Sequence, residues 1–228
     1  MIISEKHNYI YLACPKTGTT SIEKFLLEQD PSALQNKIII DGKLLRFKGH
    51  ATAKTIQSKL QGDFKKYQII GFIRHPYSRM VSSYFFFKNG HPLTKGNPLN
   101  YTKSLSKFMV ALLNLFKVYL SRVIPFKLWA ILFPYKSNKE FFVDDKNQII
   151  VQNIGLFERL SEDLEQILKN MNLKFEISKL KKINKSKHDV TSNYFKNRFF
   201  KKLINLKVRD DLRFYNKIKY TNEAKNIR

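Results

Sequence analysis

Two breaks in the chain carry side chains that suit the binding of phosphate-like anions. The first break consists of six consecutive residues, Lys16, Thr17, Gly18, Thr19, Thr20 and Ser21. A helix that begins at such a run presents free backbone N–H groups and the positive end of its dipole to an anion. Lys16 adds a charge but precedes the glycine, so the G-x-x-x-x-G-K-[ST] pattern of ATPases and GTPases is not met. The run predicts either an anion site of another kind or an ordinary strand–helix turn.

The second break begins at Arg74, which is followed by His75 and Pro76. Proline suits the first turn of a helix, and a helix from this point places Arg79 and Ser82, three residues apart, on one face. Two guanidinium groups and a hydroxyl beside a helix start are suited to bind a second phosphate. An arginine–proline turn before a polar helix face is also common without any function, so this break alone leaves both interpretations open.

The segments around the two breaks predict repeated strand–loop–helix units. Residues 8–13 and 67–73 are short apolar runs typical of buried strands, and each is followed by a break and a helical pattern. These helical patterns cover residues 22–29 and 77–87, and residues 51–60 predict a connecting helix. The order favours an α/β fold with a central parallel sheet flanked by helices. Ligands in such folds bind at the carboxyl ends of the strands, where both breaks lie.

The composition suits one globular domain with an unusual charge. The 228 residues are 43% hydrophobic, which is enough to build a core, and the length predicts a single domain. Lys and Arg total 42 against 18 Asp and Glu, which gives a formal net charge of +24. Such a charge attracts polyanions of any kind, although an AT-rich coding bias would produce the same excess of lysine.

Cysteine content and the first residues of the chain bear on its compartment. The single cysteine, Cys14, forms no internal disulfide, which fits a reducing compartment. Residues 1–13 are too short and too polar for a signal peptide and predict the first strand instead. Because no apolar stretch reaches the length of a membrane span, a cytoplasmic location is expected.

The two breaks together resemble the donor-binding motifs of sulfotransferases that use 3′-phosphoadenosine-5′-phosphosulfate (PAPS). Residues 15–21 are similar to the 5′-phosphosulfate loop, and residues 74–84 meet the 3′-phosphate motif R-x-P-x-x-R-x-x-S-x-Y at every fixed position. The resemblance is closest to the carbohydrate sulfotransferase branch, often called family 2, and continues through residues 49–53, 154–160 and 183–186. It implies a three-layer α/β fold like that of P-loop NTPases.

The resemblance also implies roles for the residues of both breaks. The loop from Lys16 to Ser21 would hold the 5′-phosphosulfate of PAPS, with Lys16 neutralising the bridging oxygen as the bond to sulfur breaks. Arg74 and Ser82 would bind the 3′-phosphate, while Arg79 would support the helix start or bind the same anion. The product would be 3′-phosphoadenosine-5′-phosphate (PAP). A sulfuryl group carries less charge than a phosphoryl group, so no metal is required.

Sulfuryl transfer needs a base, because a protonated alcohol attacks poorly. His50 is the predicted base, since histidine titrates near neutral pH and this one lies between the two donor motifs in the sequence. A structural hydrogen bond is the alternative role for His50. Glu158 is a rival base for which a structural role is favoured. His75 is expected to support Arg74, and Cys14 to pack beside the loop.

Residues 104–136 match nothing in the branch and form a helical, basic insert within the predicted domain 1–228. The expected role of these helices is to pack over the sheet and cover the acceptor groove. The alternative is a basic amphipathic surface that meets anionic lipid, which would make the enzyme peripheral at the inner face of the membrane.

Two functions of other classes stay open on the sequence. A P-loop kinase for a small metabolite would need ATP and magnesium, and the position of the lysine and the lack of an evident metal-binding carboxylate speak against it. A non-enzymatic protein would bind polyanions through its +24 charge, but the sequence carries no nucleic-acid motif, so no specific nucleic-acid partner is expected. The expected acceptor is a glycan or another molecule with a hydroxyl group.

Overall fold

The computed structural model of the chain forms two compact units. It describes residues 1–90, 105–181, 183 and 189–226. The first unit comprises Met1–His75, Ser137–Lys185 and Asp210–Arg228, and the second comprises Pro76–Lys136 and Ser186–Arg209. The single domain over residues 1–228 stays a prediction.

The first unit is built on a five-stranded mixed sheet in the order β3-β1-β2-β6-β7. The strands of the chain are β1 (Ile2–Ser4), β2 (Tyr9–Leu12), β3 (Leu34–Gln35), β4 (Lys37–Ile40), β5 (Lys43–Arg46), β6 (Gln68–Ile73) and β7 (Asn153–Leu156). The neighbours β2, β6 and β7 are parallel, as predicted for the whole sheet, whereas β1 is antiparallel to both β2 and β3. The link from β1 to β2 is too short for the crossover that a parallel pair requires, so the two strands form a hairpin.

The two neighbouring strands β2 and β6 are almost completely buried. All four residues of β2 are buried, and β6 is buried from Ile69 to Ile73. Parallel strands that are covered by helices on both faces carry such continuous apolar runs. The strands β4 and β5 form a separate antiparallel hairpin. The predicted mixed helix and strand content is therefore confirmed, and the sheet is mixed rather than wholly parallel.

Helices follow the strands in the order that the sequence predicts. The helices of the chain are α1 (Thr19–Gln29), α2 (Ala53–Leu60), α3 (Pro76–Phe85), α4 (Leu105–Val123), α5 (Phe126–Leu132), α6 (Leu160–Asn170), α7 (Thr191–Tyr194), α8 (Arg198–Lys207) and α9 (Arg209–Asn226). In α1 the side chains of Ile22, Phe25 and Leu26 share one face and are buried, and each contributes about 2 kcal/mol by leaving water. The helix begins at Thr19, three residues before the predicted start.

The second unit is helical in the residues that the structure describes. The helix α3 continues into a π-helical turn at Phe86–Gly90, and α4 and α5 occupy most of the predicted basic insert. Pro125 separates α4 from α5, because the residue before a proline disfavours the helical conformation. Phe126 packs edge-on against Tyr194 and Phe200, which joins α5 to α7 and α8. None of the helices in the described ranges is long and apolar enough to cross a bilayer.

Candidate anion-binding site

The candidate site of the first unit lies at the carboxyl ends of three adjacent parallel strands. The loop before α1 follows β2, Arg74 follows β6, and Phe157 and Glu158 follow β7. Ile73 pairs with Leu156, so β6 and β7 end together, and Leu12 pairs with Gly71, so β2 ends two residues earlier beside them. This is the edge at which ligands bind in open α/β sheets.

The loop before α1 has a strained backbone with open donors. Lys16 has a φ of 68° and Gly18 a φ of 75°, both in the left-handed region, which costs a non-glycine residue such as Lys16 about 1 kcal/mol. Gly18 is the N-cap of α1, and no side chain caps the helix there. Among the described residues nothing accepts a hydrogen bond from the backbone N–H groups of Thr19 and Thr20. The loop therefore presents free N–H groups at the positive end of the helix dipole.

The hydroxyl groups of the loop divide into two kinds. Thr17 is buried and its hydroxyl donates to the carbonyl oxygen of Cys14 at 2.8 Å. The hydroxyl oxygen of Ser21, also buried, accepts from the backbone N–H of Ile183 at 2.8 Å. Thr19 is half-buried and Thr20 is exposed. Two of the predicted hydroxyl donors thus hold the loop in place, while the threonines at the helix start are open to a ligand.

Lys16 and Arg74 bring two positive charges together beside this loop. Arg74 donates from Nη1 to the carbonyl oxygen of Lys16 at 3.2 Å. Burial, and then repulsion from the Arg74 guanidinium, lower the pKa of Lys16 to about 8. Burial also lowers the pKa of Arg74 to about 10, against the attraction of Glu158. An anion bound here would offset both the lost hydration and the mutual repulsion.

A single aromatic ring packs against both parts of the site. The guanidinium carbon of Arg74 lies 4.2 Å from the centre of the Phe157 ring. A Cβ atom added to Gly18 would lie 3.1 Å from the same ring, closer than ordinary contact allows. Gly18 is therefore required by its backbone conformation and by the approach of Phe157.

Asn138 connects the loop to the end of β6, a role that no motif or pattern in the sequence predicts. Its side-chain oxygen accepts from the Cys14 thiol at 3.0 Å, and its side-chain nitrogen donates to the Arg74 carbonyl oxygen at 3.3 Å. Asp211 in turn accepts from the backbone N–H groups of Asn138 at 2.7 Å and of Lys139 at 3.1 Å. Cys14 packs beside the loop as expected, and its buried thiol is tied to Asn138.

His50 is exposed, and its ring contacts the backbone of Ala13, the residue that follows β2. Its Nδ1 atom lies 2.6 Å from the carbonyl oxygen of Ala13. A carbonyl oxygen can only accept, so Nδ1 carries the proton, and in the neutral ring Nε2 is left to accept one. The structure therefore gives His50 the structural hydrogen bond, and its role as the base stays a prediction.

Both carboxylate oxygens of Glu158 accept hydrogen bonds. One accepts from the backbone N–H of His75 at 3.0 Å, and the other accepts from the Tyr215 hydroxyl at 3.1 Å. The His75 ring packs edge-on against Tyr215. These contacts favour the structural role of Glu158, while support of Arg74 by His75 stays a prediction.

The sequence model of the sulfotransferase family matches residues 1–220. The chain belongs to the sulfotransferase family. The match supports the family 2 branch in particular. Members of the family transfer sulfuryl groups to acceptors with a hydroxyl group and generally use PAPS as the donor. No curated protein and no solved structure matches the chain significantly.

The family's second phosphate motif continues into the second unit, where Arg79 and Ser82 lie on α3. Both side chains are buried. Arg79 donates from Nη1 to the Tyr135 hydroxyl at 3.0 Å and from Nη2 to the Lys136 carbonyl oxygen. Of the two roles expected for Arg79, these contacts favour support of the helix. A phosphate contact by Arg79 or Ser82 stays a prediction.

Two further expectations concern residues 183–186 and metal ions. Ile183 is tied to Ser21, while residues 184–186 lie outside the described residues. Within the described part of the chain no cluster of three or more His, Cys, Asp or Glu side chains could hold a metal ion.

Proposed function

We propose that this sulfotransferase moves the sulfuryl group of PAPS to a hydroxyl group of a carbohydrate. The observation that carries the proposal is the pair of partly buried cations, Lys16 and Arg74, next to the open start of α1. Burial and the repulsion between these two charges are both unfavourable, and a bound anion would offset both. PAPS carries a phosphosulfate and a separate phosphate, and so supplies the negative charge that this arrangement favours.

The loop supports binding of the 5′-phosphosulfate. The N–H groups of Thr19 and Thr20 and the charge of Lys16 would surround its oxygens, and Gly18 allows the backbone to approach. Arg74 is the residue of this unit that would bind the 3′-phosphate, with its guanidinium group over the Phe157 ring.

The reaction would depend on positioning and on charge. Sulfur is attacked by the acceptor oxygen while its bond to the bridging oxygen breaks, and negative charge grows on that bridging oxygen. Lys16 would stabilise this charge. Because Lys16 is partly buried, water screens its attraction to the bridging oxygen less than it would at an exposed site. Positioning and charge stabilisation would supply most of the acceleration of this step.

His50 would take the proton of the acceptor hydroxyl. Its Nδ1–H is held by Ala13, which fixes the tautomer with Nε2 free to accept. Replacement of His50 by Ala would lower kcat by about 10²- to 10⁴-fold, because a general base contributes about that much. PAP affinity would stay unchanged. A variant with full kcat would exclude His50 as the base.

The carbohydrate acceptor rests on the family 2 branch. A screen of mono- and polysaccharides with PAPS labelled in its sulfuryl group would identify the acceptor class. Label transferred only to non-carbohydrate alcohols would replace this part of the proposal and leave the sulfuryl transfer intact.

Calorimetric titration with PAP at physiological salt tests the donor. The controls are 5′-AMP, which lacks the 3′-phosphate, and ATP with magnesium. We expect PAP to bind at least about tenfold more tightly than 5′-AMP, because the missing phosphate removes charge-assisted hydrogen bonds. Preference for ATP with magnesium would support a kinase instead. Equal binding of all three would indicate attraction by charge alone.

A further inference from the structure

The second unit exposes apolar side chains along one side of α4. Between 49% and 63% of the surface of six side chains is exposed, those of Met109, Leu112, Leu113, Phe116, Tyr119 and Val123. Steps of three, four and one residues place all six on one stripe of the helix. Val118 and Ser121, which are buried, lie on the other side. A helix on the surface of a soluble protein normally turns such a stripe towards its core.

The helix α5 has the same arrangement. Leu128, Ile131 and Leu132 are between 45% and 60% exposed, while Phe126 and Trp129 on the opposite side are buried. The ring of Phe116 lies 6.3 Å from that of Phe133, which follows α5 directly. The exposed stripe of α4 therefore reaches the end of α5.

The helix α8 adds a third exposed stripe beside α5. Its exposed apolar residues are Phe199, Leu203 and Leu206. Phe200 and Ile204 of the same helix are buried. Lys207 donates from Nζ to the carbonyl oxygens of Ala130 and Ile131, each at 2.8 Å, so the end of α8 is joined to the end of α5. We call these three stripes together the apolar–basic surface.

The charge of this unit is strongly one-sided. It holds sixteen Lys and Arg residues against one acidic residue, Asp189, which is +15 of the +24 of the whole chain. Its exposed basic side chains on or beside the three helices include Arg122, Lys127, Arg198, Lys201 and Lys202. Positive charges thus flank the exposed apolar stripes.

We infer that the apolar–basic surface docks on an anionic lipid bilayer. An anionic bilayer is complementary to this surface in two ways. Its apolar interior can take up the leucine and phenylalanine side chains, and its negative headgroups can bind the lysines and arginines. A second copy of the chain would bring +15 against +15, so charge disfavours self-association through this surface. Because no described helix can cross a bilayer, the helices would lie in the interface.

Vesicle flotation with the full chain tests this inference. The vesicles contain phosphatidylcholine and phosphatidylglycerol in equal amounts, and phosphatidylcholine alone serves as the neutral control. We expect the protein to float with the anionic vesicles at physiological salt and to stay at the bottom with the neutral ones. No flotation with anionic vesicles, even at low salt, would overturn the inference.

Matched triple variants separate insertion from charge. Leu113→Gln, Phe116→Gln and Leu132→Gln together should weaken the partition by at least about tenfold, because each removed side chain contributes buried apolar area. The control triple is Ile39→Gln, Leu44→Gln and Tyr220→Gln, which changes exposed apolar side chains of the first unit and should have no effect. Equal flotation of both triples would overturn insertion and leave a purely electrostatic attraction.

Vesicle flotation of single charge variants tests the contribution of the basic side chains. Arg122→Gln, Lys127→Gln and Lys202→Gln should each weaken the partition roughly fivefold, whereas Lys43→Gln and Lys174→Gln in the first unit should not. Sedimentation that shows a dimer abolished by the apolar triple would assign the surface to self-association and overturn the inference. PAP affinity should be unchanged in every variant, so the result is independent of the proposed donor.

Discussion

The two units of the chain differ in how many of their large apolar side chains are exposed to solvent. In the first unit Tyr9, Phe25, Phe72 and Phe142 are fully buried around the sheet. Of the sixteen large apolar side chains that are exposed in the described part of the chain, thirteen belong to the second unit. The first unit therefore uses its apolar residues to hold a site in place, and the second presents many of them to its surroundings.

The basic side chains of the two units also differ in how far they are buried. In the first unit Lys16 and Arg74 are partly buried and held by specific contacts, and Glu158, Asn138 and Asp211 fix the backbone around them. In the second unit most basic side chains of α4, α5 and α8 are exposed. Positive charge held in a fixed geometry can recognise one ligand, whereas positive charge spread over a surface attracts any polyanion.

The largest expected effect concerns the burial of matched leucines. Leu164 of α6 is fully buried, and Leu113 of α4 is 55% exposed. Leu164→Ala should lower the free energy of unfolding by about 2–5 kcal/mol, because it removes buried carbon and leaves a cavity. Leu113→Ala should change it by no more than about 0.5 kcal/mol. Both changes lie within helices, so helix propensity cancels in the comparison. Urea unfolding followed by circular dichroism measures both, and equal losses would mean that α4 is covered in solution.

The next effect compares one arginine from each unit. Arg74→Ala should weaken PAP binding by about ten- to a hundredfold, because a charge-assisted hydrogen bond contributes about 1.5–3 kcal/mol. Arg122→Ala removes an exposed charge and should leave PAP binding nearly unchanged. Titration calorimetry with PAP and with 5′-AMP measures both, and only PAP should respond to Arg74→Ala. If Arg122→Ala costs as much, the affinity comes from net charge rather than from a built site.

A smaller effect on PAP affinity is expected from a change in packing alone, with no change of charge, in the first unit. Gly18 and Gly42 have nearly the same positive φ, 75° and 72°, but an added Cβ meets Phe157 only at Gly18. Gly42→Ala should cost about 1 kcal/mol of stability and leave PAP binding intact. Gly18→Ala should in addition lower PAP affinity by about tenfold, because the added Cβ would displace the Phe157 ring, against which the Arg74 guanidinium packs. Unfolding and calorimetry on the two variants test this, and equal PAP affinity in both would remove Phe157 from the site.

The sequence predicted those parts of the site that depend on local pattern. The loop from Lys16 to Ser21 could be predicted because a buried apolar run ends just before it and an amphipathic helical pattern begins just after it. The position of Arg74 after a buried strand could be predicted for the same reason, and the range that the family model matches, residues 1–220, includes both motifs. The parallel pairing of β2 and β6 also follows from a repeated strand–loop–helix order.

The remaining parts depend on contacts between distant residues, which a local pattern does not encode. Asn138 reaches Cys14 across 124 positions, and Asp211 reaches Asn138 across 73. The antiparallel β1 depends on the short link to β2 rather than on its apolar residues. An amphipathic pattern in α4 shows that one side is apolar, but only the packing of Val118 and Ser121 decides which side is buried.

The smallest effect is a pH dependence that belongs to the first unit. The pKa of Lys16 is about 8 without ligand, and a bound anion would raise it. Below pH 8 Lys16 is charged in both states, so PAP affinity should be flat. Above pH 8 the free protein loses the proton and the complex keeps it, so binding takes up a proton and affinity falls, by at most about tenfold for each pH unit. Calorimetry from pH 7 to 9.5 in buffers of different ionisation enthalpy should detect this uptake. Lys16→Arg should remove it, because arginine stays charged throughout this range; an unchanged pH profile in that variant would assign the proton to another group.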